Sequence, residues 1–227
     1  MHQSQNQHEK TIIFINDMSN YSQKYDPALW DTDTPVKKNN AKLLPLLTGS
    51  KAPDITFKKD LGIWQQVSYR FNYTQATIKS IIDNKPLVVS FLSGGWNNYG
   101  LKHLKLLTQA YPEILALGGN LLVIVHASYT DVREMVQYFE IPFNVIADPH
   151  NEISERFGLF SRDVPVWDKV SGISEEVPIP ATYVLNQYGN VIYHTIDEDF
   201  LHTFSATKVL GAVFAAVHRI PYVNHAA

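Results

Sequence analysis

Cysteine is absent from all 227 residues. That excludes disulfides, thiolate metal sites and any thiol nucleophile, and leaves the redox character of the compartment undefined. An excess of either charge is missing too: 19 basic against 22 acidic side chains give a net charge of −3. The lysines are scattered, with no basic stripe for nucleic acid and no polybasic patch for a membrane surface. Long apolar runs are also lacking. The best, PLVVSFL and NLLVIV, fall far short of a membrane span. MHQSQNQHEK at the start has neither the basic nor the apolar region of a secretory signal, so the expected location is the cytoplasm. No feature calls for a cofactor.

What the chain does have is alternation of strand-like and helix-like periods, which argues for an α/β fold. The first 44 residues are read as an N-terminal arm and 45–220 as one domain. Within the arm, KTIIFIN has strand character, Tyr25 and Trp30 are expected to pack on the domain, and a short helix is expected around Val36–Leu47. GSKAPD is a loop, because Pro53 keeps the residue before it extended. WQQVSYRFN reads as a strand and TQATIKSIIDN as a helix.

From Pro86 the pattern strengthens. PLVVSFLS is a continuous, β-branched, buried strand suited to a parallel or central position. A helix over Tyr99–Leu117 follows, with Pro112 expected to kink or split it. NLLVIVHA is a second buried strand. DVREMVQYFE is a helix with Thr130 or Asp131 as cap. FNVIAD is a strand, and PHNEISERFGL a helix stopped by Gly158. Residues 159–178 form a long loop, ATYVLNQYGNVIYH a hairpin about Gln187–Asn190, and 203–219 a closing amphipathic helix.

Between the first strong strand and its helix stands GGWNNYG, a turn of the kind that often carries a reactive group. In order, Phe91, Leu92, Ser93, Gly94, Gly95, Trp96, Asn97, Asn98, Tyr99 and Gly100 resemble the F-Y-R-G-G-W-C-P-Y-C site of peroxiredoxin-like proteins. These belong to the alkyl hydroperoxide reductase/thiol-specific antioxidant (AhpC/TSA) family. GSKAPDITFKKDLG resembles the family's entry segment, NVIADPHNEISERFGLF its Asp–acidic–Phe-Gly-Leu helix, and HTIDEDF its late Asp-x-Asp-aromatic stretch. Pro180 matches the proline that precedes the hairpin and is cis in that fold. The resemblance runs over roughly 45–217 and implies a thioredoxin-like α/β fold with a central mixed sheet flanked by helices. It also implies a homodimer, for which the aromatic segment QYFEIPF supplies candidate contacts.

The departures from the family pattern decide the chemistry. Peroxide reduction needs a thiolate activated by a helix N-terminus and a nearby arginine. Asn97 stands at the peroxidatic position, Gly100 at the second cysteine and Ser93 at the arginine. A carboxamide is not a useful nucleophile and cannot cycle through a sulfenic acid. The expectation is therefore a redoxin inactive as a thiol peroxidase and kept for binding. Its ligand site would be framed by Trp96, Asn97, Asn98 and Tyr99 on one side and Ile179, Pro180 and Ala181 on the other. A small anion or an extended peptide would suit such a corner. The plainer reading is that the asparagines cap the helix.

The alternative is an enzyme of changed chemistry that uses histidine and carboxylate. Its candidates are His126 at a strand end and, as a metal set, His194, Asp197, Asp199 and His202, whose spacing matches no defined motif. Each also has a plain reading, as a strand-end histidine held by a neighbour and a polar hairpin-to-helix loop. His103, one turn beyond Tyr99, could face the site, and its plain reading is a solvated face. Asn72-Tyr73-Thr74 fits a glycosylation sequon but lacks a secretory context. Trp30, Trp64 and Trp167 read as core or interface aromatics, and Glu175-Glu176 as a solvated charge pair.

Overall fold

A computed structural model describes residues 42–65, 75–166, 173 and 176–222. The readings of KTIIFIN, Tyr25, Trp30, the sequon, Trp167 and Glu175 lie outside them. So do most of WQQVSYRFN and the first half of the proposed Val36–Leu47 helix.

The elements follow in the order β1 (Thr56–Lys58), β2 (Gly62–Ile63), β3 (Gln75–Thr77), α1 (Ile78–Ile82), β4 (Leu87–Ser93), α2 (Asn98–Ala116), β5 (Asn120–His126), α3 (Tyr129–Tyr138), β6 (Asn144–Ala147), α4 (Glu152–Arg156), β7 (Ala181–Leu185), β8 (Val191–Ile196) and α5 (Ala206–His218). Six strands form one mixed sheet in the order β2-β6-β5-β4-β7-β8, and β1 pairs with β3 separately. β4, β5 and β6 are mutually parallel, while β7, β8 and β2 join antiparallel to their neighbours.

β4 is buried along its whole length, as a central strand covered on both faces must be. α2 and α5 pack on each other and on β4. The buried side of α2 carries Gly100, His103, Leu104, Leu107, Ala110, Tyr111 and Ile114, the 3–4 spacing of one helical face. Each large aliphatic side chain buried this way contributes on the order of 1.5–3 kcal/mol.

Several local expectations change. α1 starts later than its pattern suggests, because Ala76 and Thr77 belong to β3. Thr77 and Ser80 then form a reciprocal capping box, with N–H to Oγ distances of 2.8 and 3.1 Å. Residues 42–47 are not helical: Leu46 N–H donates to the Phe157 carbonyl across the chain, at 3.2 Å. α2 passes through Pro112 without being split. α3 is capped by Ser128, not by Thr130 or Asp131. The Ser128 hydroxyl accepts the Asp131 N–H at 3.2 Å and donates to the Asp131 carboxylate at 2.7 Å. Gly158 does follow α4, with φ +72°, and a side chain there would collide with the Leu44 backbone.

The described residues contain no cis peptide bond, so the Ile179–Pro180 bond is trans, contrary to the resemblance. It is flanked by hydrogen bonds from Ile179 N–H to the Leu159 carbonyl and from Asp197 N–H to the Pro180 carbonyl, at 2.9 and 3.0 Å. In QYFEIPF, Ile141 and Phe143 belong to the core, which leaves Tyr138 as its exposed aromatic residue.

Candidate functional site

The GGWNNYG turn lies where β4 ends. Gly94–Trp96 form a single 3₁₀ turn capped by Ser93, whose hydroxyl accepts the Gly95 N–H at 3.1 Å. Ser93 is buried, so the position matched to the family's arginine is a short internal cap here. Asn97 then takes the N-cap position of α2 at φ 52°, ψ −135°, and its side chain makes no capping hydrogen bond. The plain capping reading is therefore right about position and wrong about mechanism. Asn98 is exposed, while Asn97 and Tyr99 are half-buried. Gly100 sits under the turn: a Cβ there would stand 2.8 Å from the Ser93 carbonyl oxygen.

Trp96 does not face a ligand space. It is buried, and its indole N–H donates to the Pro178 carbonyl at 2.8 Å. Its ring meets Tyr99, His103 and Phe200 edge-on, with centroids 5.8, 6.0 and 5.9 Å away. Ile179 and Pro180 are buried as well. Of the seven residues proposed to frame the ligand, Asn97, Asn98 and Tyr99 reach solvent, and Trp96, Ile179, Pro180 and Ala181 form the floor beneath them.

His103 does not lie on a solvated face. It is 1% exposed, and its Nε2 lies 2.8 Å from the Ser90 hydroxyl, which lies 2.8 Å from the Thr182 hydroxyl. This chain ties α2 to β4 and β7. Burial with no compensating charge pushes the His103 pKa down to about 3, so the ring is neutral. Nδ1 has no hydrogen-bond partner among the described residues. The signal for this placement was present in the sequence, since position 103 shares the face of Gly100, Leu104 and Leu107, and PLVVSFLS holds a hydroxyl in mid-strand.

The segment after β8 folds back over this cluster. The Asp197 carboxylate accepts the Leu201 and His202 N–H groups at 3.2 and 2.7 Å. The Tyr99 hydroxyl donates to the His202 carbonyl at 3.3 Å. Phe200, at φ 56°, packs on Trp96 and Tyr99. Burial first, and the neighbouring Asp197 charge second, push the Tyr99 phenol well above its ordinary pKa. Tyr99, His103, Pro180, Ala181, Thr182, Thr195, Asp197, His202 and Phe204 line a crevice closed to anything as large as a water molecule.

The remaining candidates do not form one cluster. His126 ends β5 opposite Ser93, half-buried, with Nδ1 3.3 Å from the Asp148 carbonyl. His194 Nδ1 accepts from the Thr48 N–H at 3.0 Å and lies 2.9 Å from its hydroxyl, and burial lowers the His194 pKa. With Asp197 engaged on the following loop, the set His194, Asp197, Asp199 and His202 is not assembled. Among the described residues, no three His, Asp or Glu side chains come together as a metal site would require. No described helix is long and apolar enough to cross a membrane.

A parallel three-strand centre, an antiparallel hairpin on one side and a helix launched from a Gly-Gly-Trp turn define a thioredoxin-like protein without its thiol. The chain belongs to the AhpC/TSA family, whose model matches residues 48–194. No curated protein matches it in sequence. Among solved structures it is similar to the reduced 2-Cys peroxiredoxin of Plasmodium vivax, with TM-score 0.59 and 14% identity over 77% of this chain and 84% of that one. It is likewise similar to AhpC of Mycobacterium tuberculosis, with TM-score 0.56 and 15% identity over 76% and 93%. A hypothetical protein of Sinorhizobium meliloti gives TM-score 0.54 and 12% identity over 80% and 90%. At these identities the likeness is one of fold.

Proposed function

We propose that this chain is a pseudoenzyme of the AhpC/TSA family, without thiol peroxidase activity and retained as a binding module for a small ligand or a protein segment. One observation carries the reading: Asn97 heads α2 where the family's pattern has its peroxidatic cysteine, in a chain with no thiol. An amide there has no lone pair reactive enough to open an O–O bond. The surface that remains is uncharged and polar, with Asn97 and Asn98 beside Tyr99. A cytoplasmic location and a homodimer belong to the same reading.

The test is consumption of hydrogen peroxide and an alkyl hydroperoxide by chelator-treated protein, with thioredoxin or glutathione as reductant. The rate should equal that of buffer. Catalytic turnover would overturn the proposal. An enzyme built on His126 or on the 194–202 carboxylates and histidines has no observation in its favour: His126 lies against the Asp148 carbonyl, His194 accepts from Thr48, and the Asp197 carboxylate is engaged by the loop backbone.

A further inference from the structure

The hydrogen-bond chain through Ser90 has two directions, and they are not equivalent. If His103 Nε2–H donated to Ser90, and Ser90 to Thr182, the Thr182 hydroxyl hydrogen and the Nδ1 lone pair would both be left over. Among the described residues, Ser90 is the partner of the Thr182 hydroxyl. If instead Thr182 donates to Ser90, and Ser90 to Nε2, every hydroxyl hydrogen is used and a single group remains, the Nδ1–H. Because an unpaired buried polar group is costly, the second direction prevails. His103, one of the residues that line the crevice, therefore carries a lone N–H donor on a side chain that is 1% exposed.

The crevice walls define what could meet that donor. Tyr99 and Phe204 supply aromatic faces, with the Phe204 ring 5.1 Å from the imidazole. Pro180 and Ala181 supply apolar surface, and the Asp197 carboxylate lies in the same lining. A negative ligand would be repelled by Asp197 and desolvated against aromatic rings. A purely apolar one would leave Nδ1–H unpaired.

We infer that this crevice is a binding site of the module proposed above, and that its ligand is a small uncharged molecule with a carbonyl or hydroxyl oxygen on a flat apolar body. The oxygen accepts from His103 Nδ1–H, and the body fills the space between Tyr99 and Phe204. Entry requires the segment 197–204 to swing away, which breaks the Tyr99–His202 hydrogen bond. Apparent affinity is therefore reduced by the small fraction of open molecules.

Three probes of similar size separate the contributions: acetophenone (neutral, with an acceptor), ethylbenzene (no acceptor) and benzoate (an anion). Each is titrated to millimolar concentration into ¹⁵N-labelled full-length protein and followed by NMR. Acetophenone should give saturable shifts centred on the His103 imidazole and on Tyr99 and Phe204, and should bind at least about tenfold more tightly than ethylbenzene. Benzoate should give none there. His103→Phe, which keeps the aromatic plug, should abolish the difference between acetophenone and ethylbenzene. Should that variant not fold, Tyr99→Phe serves: loss of the latch makes opening easier and should strengthen acetophenone binding about threefold or more.

Absence of saturable shifts in both wild type and Tyr99→Phe would overturn the site, as would shifts at His103 that are as strong with ethylbenzene or benzoate. The inference rests on the binding-module reading, and the two fail separately. Peroxide turnover would remove that reading whatever the probes do, whereas silent probes would leave the missing peroxidase activity as it stands.

Discussion

Gly100 and Ser93 are in contact through the one space a side chain at position 100 would need: a Cβ on Gly100 would lie 2.8 Å from the Ser93 carbonyl oxygen. The obstacle is backbone at the end of β4, which cannot rotate away like a flexible side chain. Gly100→Ala and Gly100→Cys should each cost about 1–3 kcal/mol, the range for overpacking a filled interior. Urea unfolding measures it, and an unchanged midpoint would show that the carbonyl yields. In this chain the position matched to the family's second cysteine has closed against any side chain.

Asn97 holds φ 52°, ψ −135° at the head of α2, a region that side-chain-bearing residues adopt at a cost of about 1–3 kcal/mol. Glycine does not bear that cost. Asn97→Gly should therefore be more stable than Asn97→Ala by about 1 kcal/mol. Both variants lose the asparagine carboxamide, so the difference reports the backbone conformation and the Cβ that it strains. Parallel denaturant titrations decide it, and equal or reversed stabilities would mean that the turn relaxes once the asparagine is gone.

The fold was legible because its signals are local and repeated. PLVVSFLS and NLLVIVHA declare buried strands, and the spacing from Leu101 to Ile114 declares a helix. The site frame was legible as a string, GGWNNYG against a known pattern, which placed Asn97 at the helix start. Orientation was not legible. Trp96 looks like a site residue in the string and is a floor plank in space, because its indole N–H is spent on the Pro178 carbonyl. His103 looked solvated because its partners, Ser90 and Thr182, come from other elements and meet it through the sheet. The 197–204 strap was visible as Asp-x-Asp-aromatic, and its hold on Tyr99 was not. Tertiary contacts of this kind leave no period.

Acid should destabilise the fold through its neutral histidines. A base whose folded pKa is depressed is protonated first in the unfolded chain, near 6.5 for histidine. Stability is therefore complete above that pH and falls as pH drops, through His103 down to about 3. The slope from one such group is at most about 1.4 kcal/mol per pH unit. His194 adds in the same direction, because its Nδ1 must stay unprotonated to accept the Thr48 N–H. Unfolding free energies between pH 7 and pH 4 should decline in the wild type and decline less in His103→Gln. Parallel curves for the two proteins would show that His103 is not the group responsible.

Asp197 and Tyr99, neighbours that interact with each other, hold the same strap, the carboxylate through the Leu201 and His202 amides and the phenol through the His202 carbonyl. Asp197→Asn turns one accepting oxygen into a donor facing an N–H, and should cost about 1–2 kcal/mol. Tyr99→Phe removes the longer bond to the His202 carbonyl and the phenol's interaction with the Asp197 side chain, and should cost about 0.5–1.5 kcal/mol. Once either anchor is gone the strap is partly free, so the second loss should be smaller in the double variant than in the single one. Couplings of about 0.5 kcal/mol or more are usual for residues sharing a network. A urea double-mutant cycle measures it, with hydrogen exchange at the Leu201 and His202 amides reporting the local opening. Additive losses would mean that the two anchors act on independent segments, and the strap would then be no single gate over the crevice.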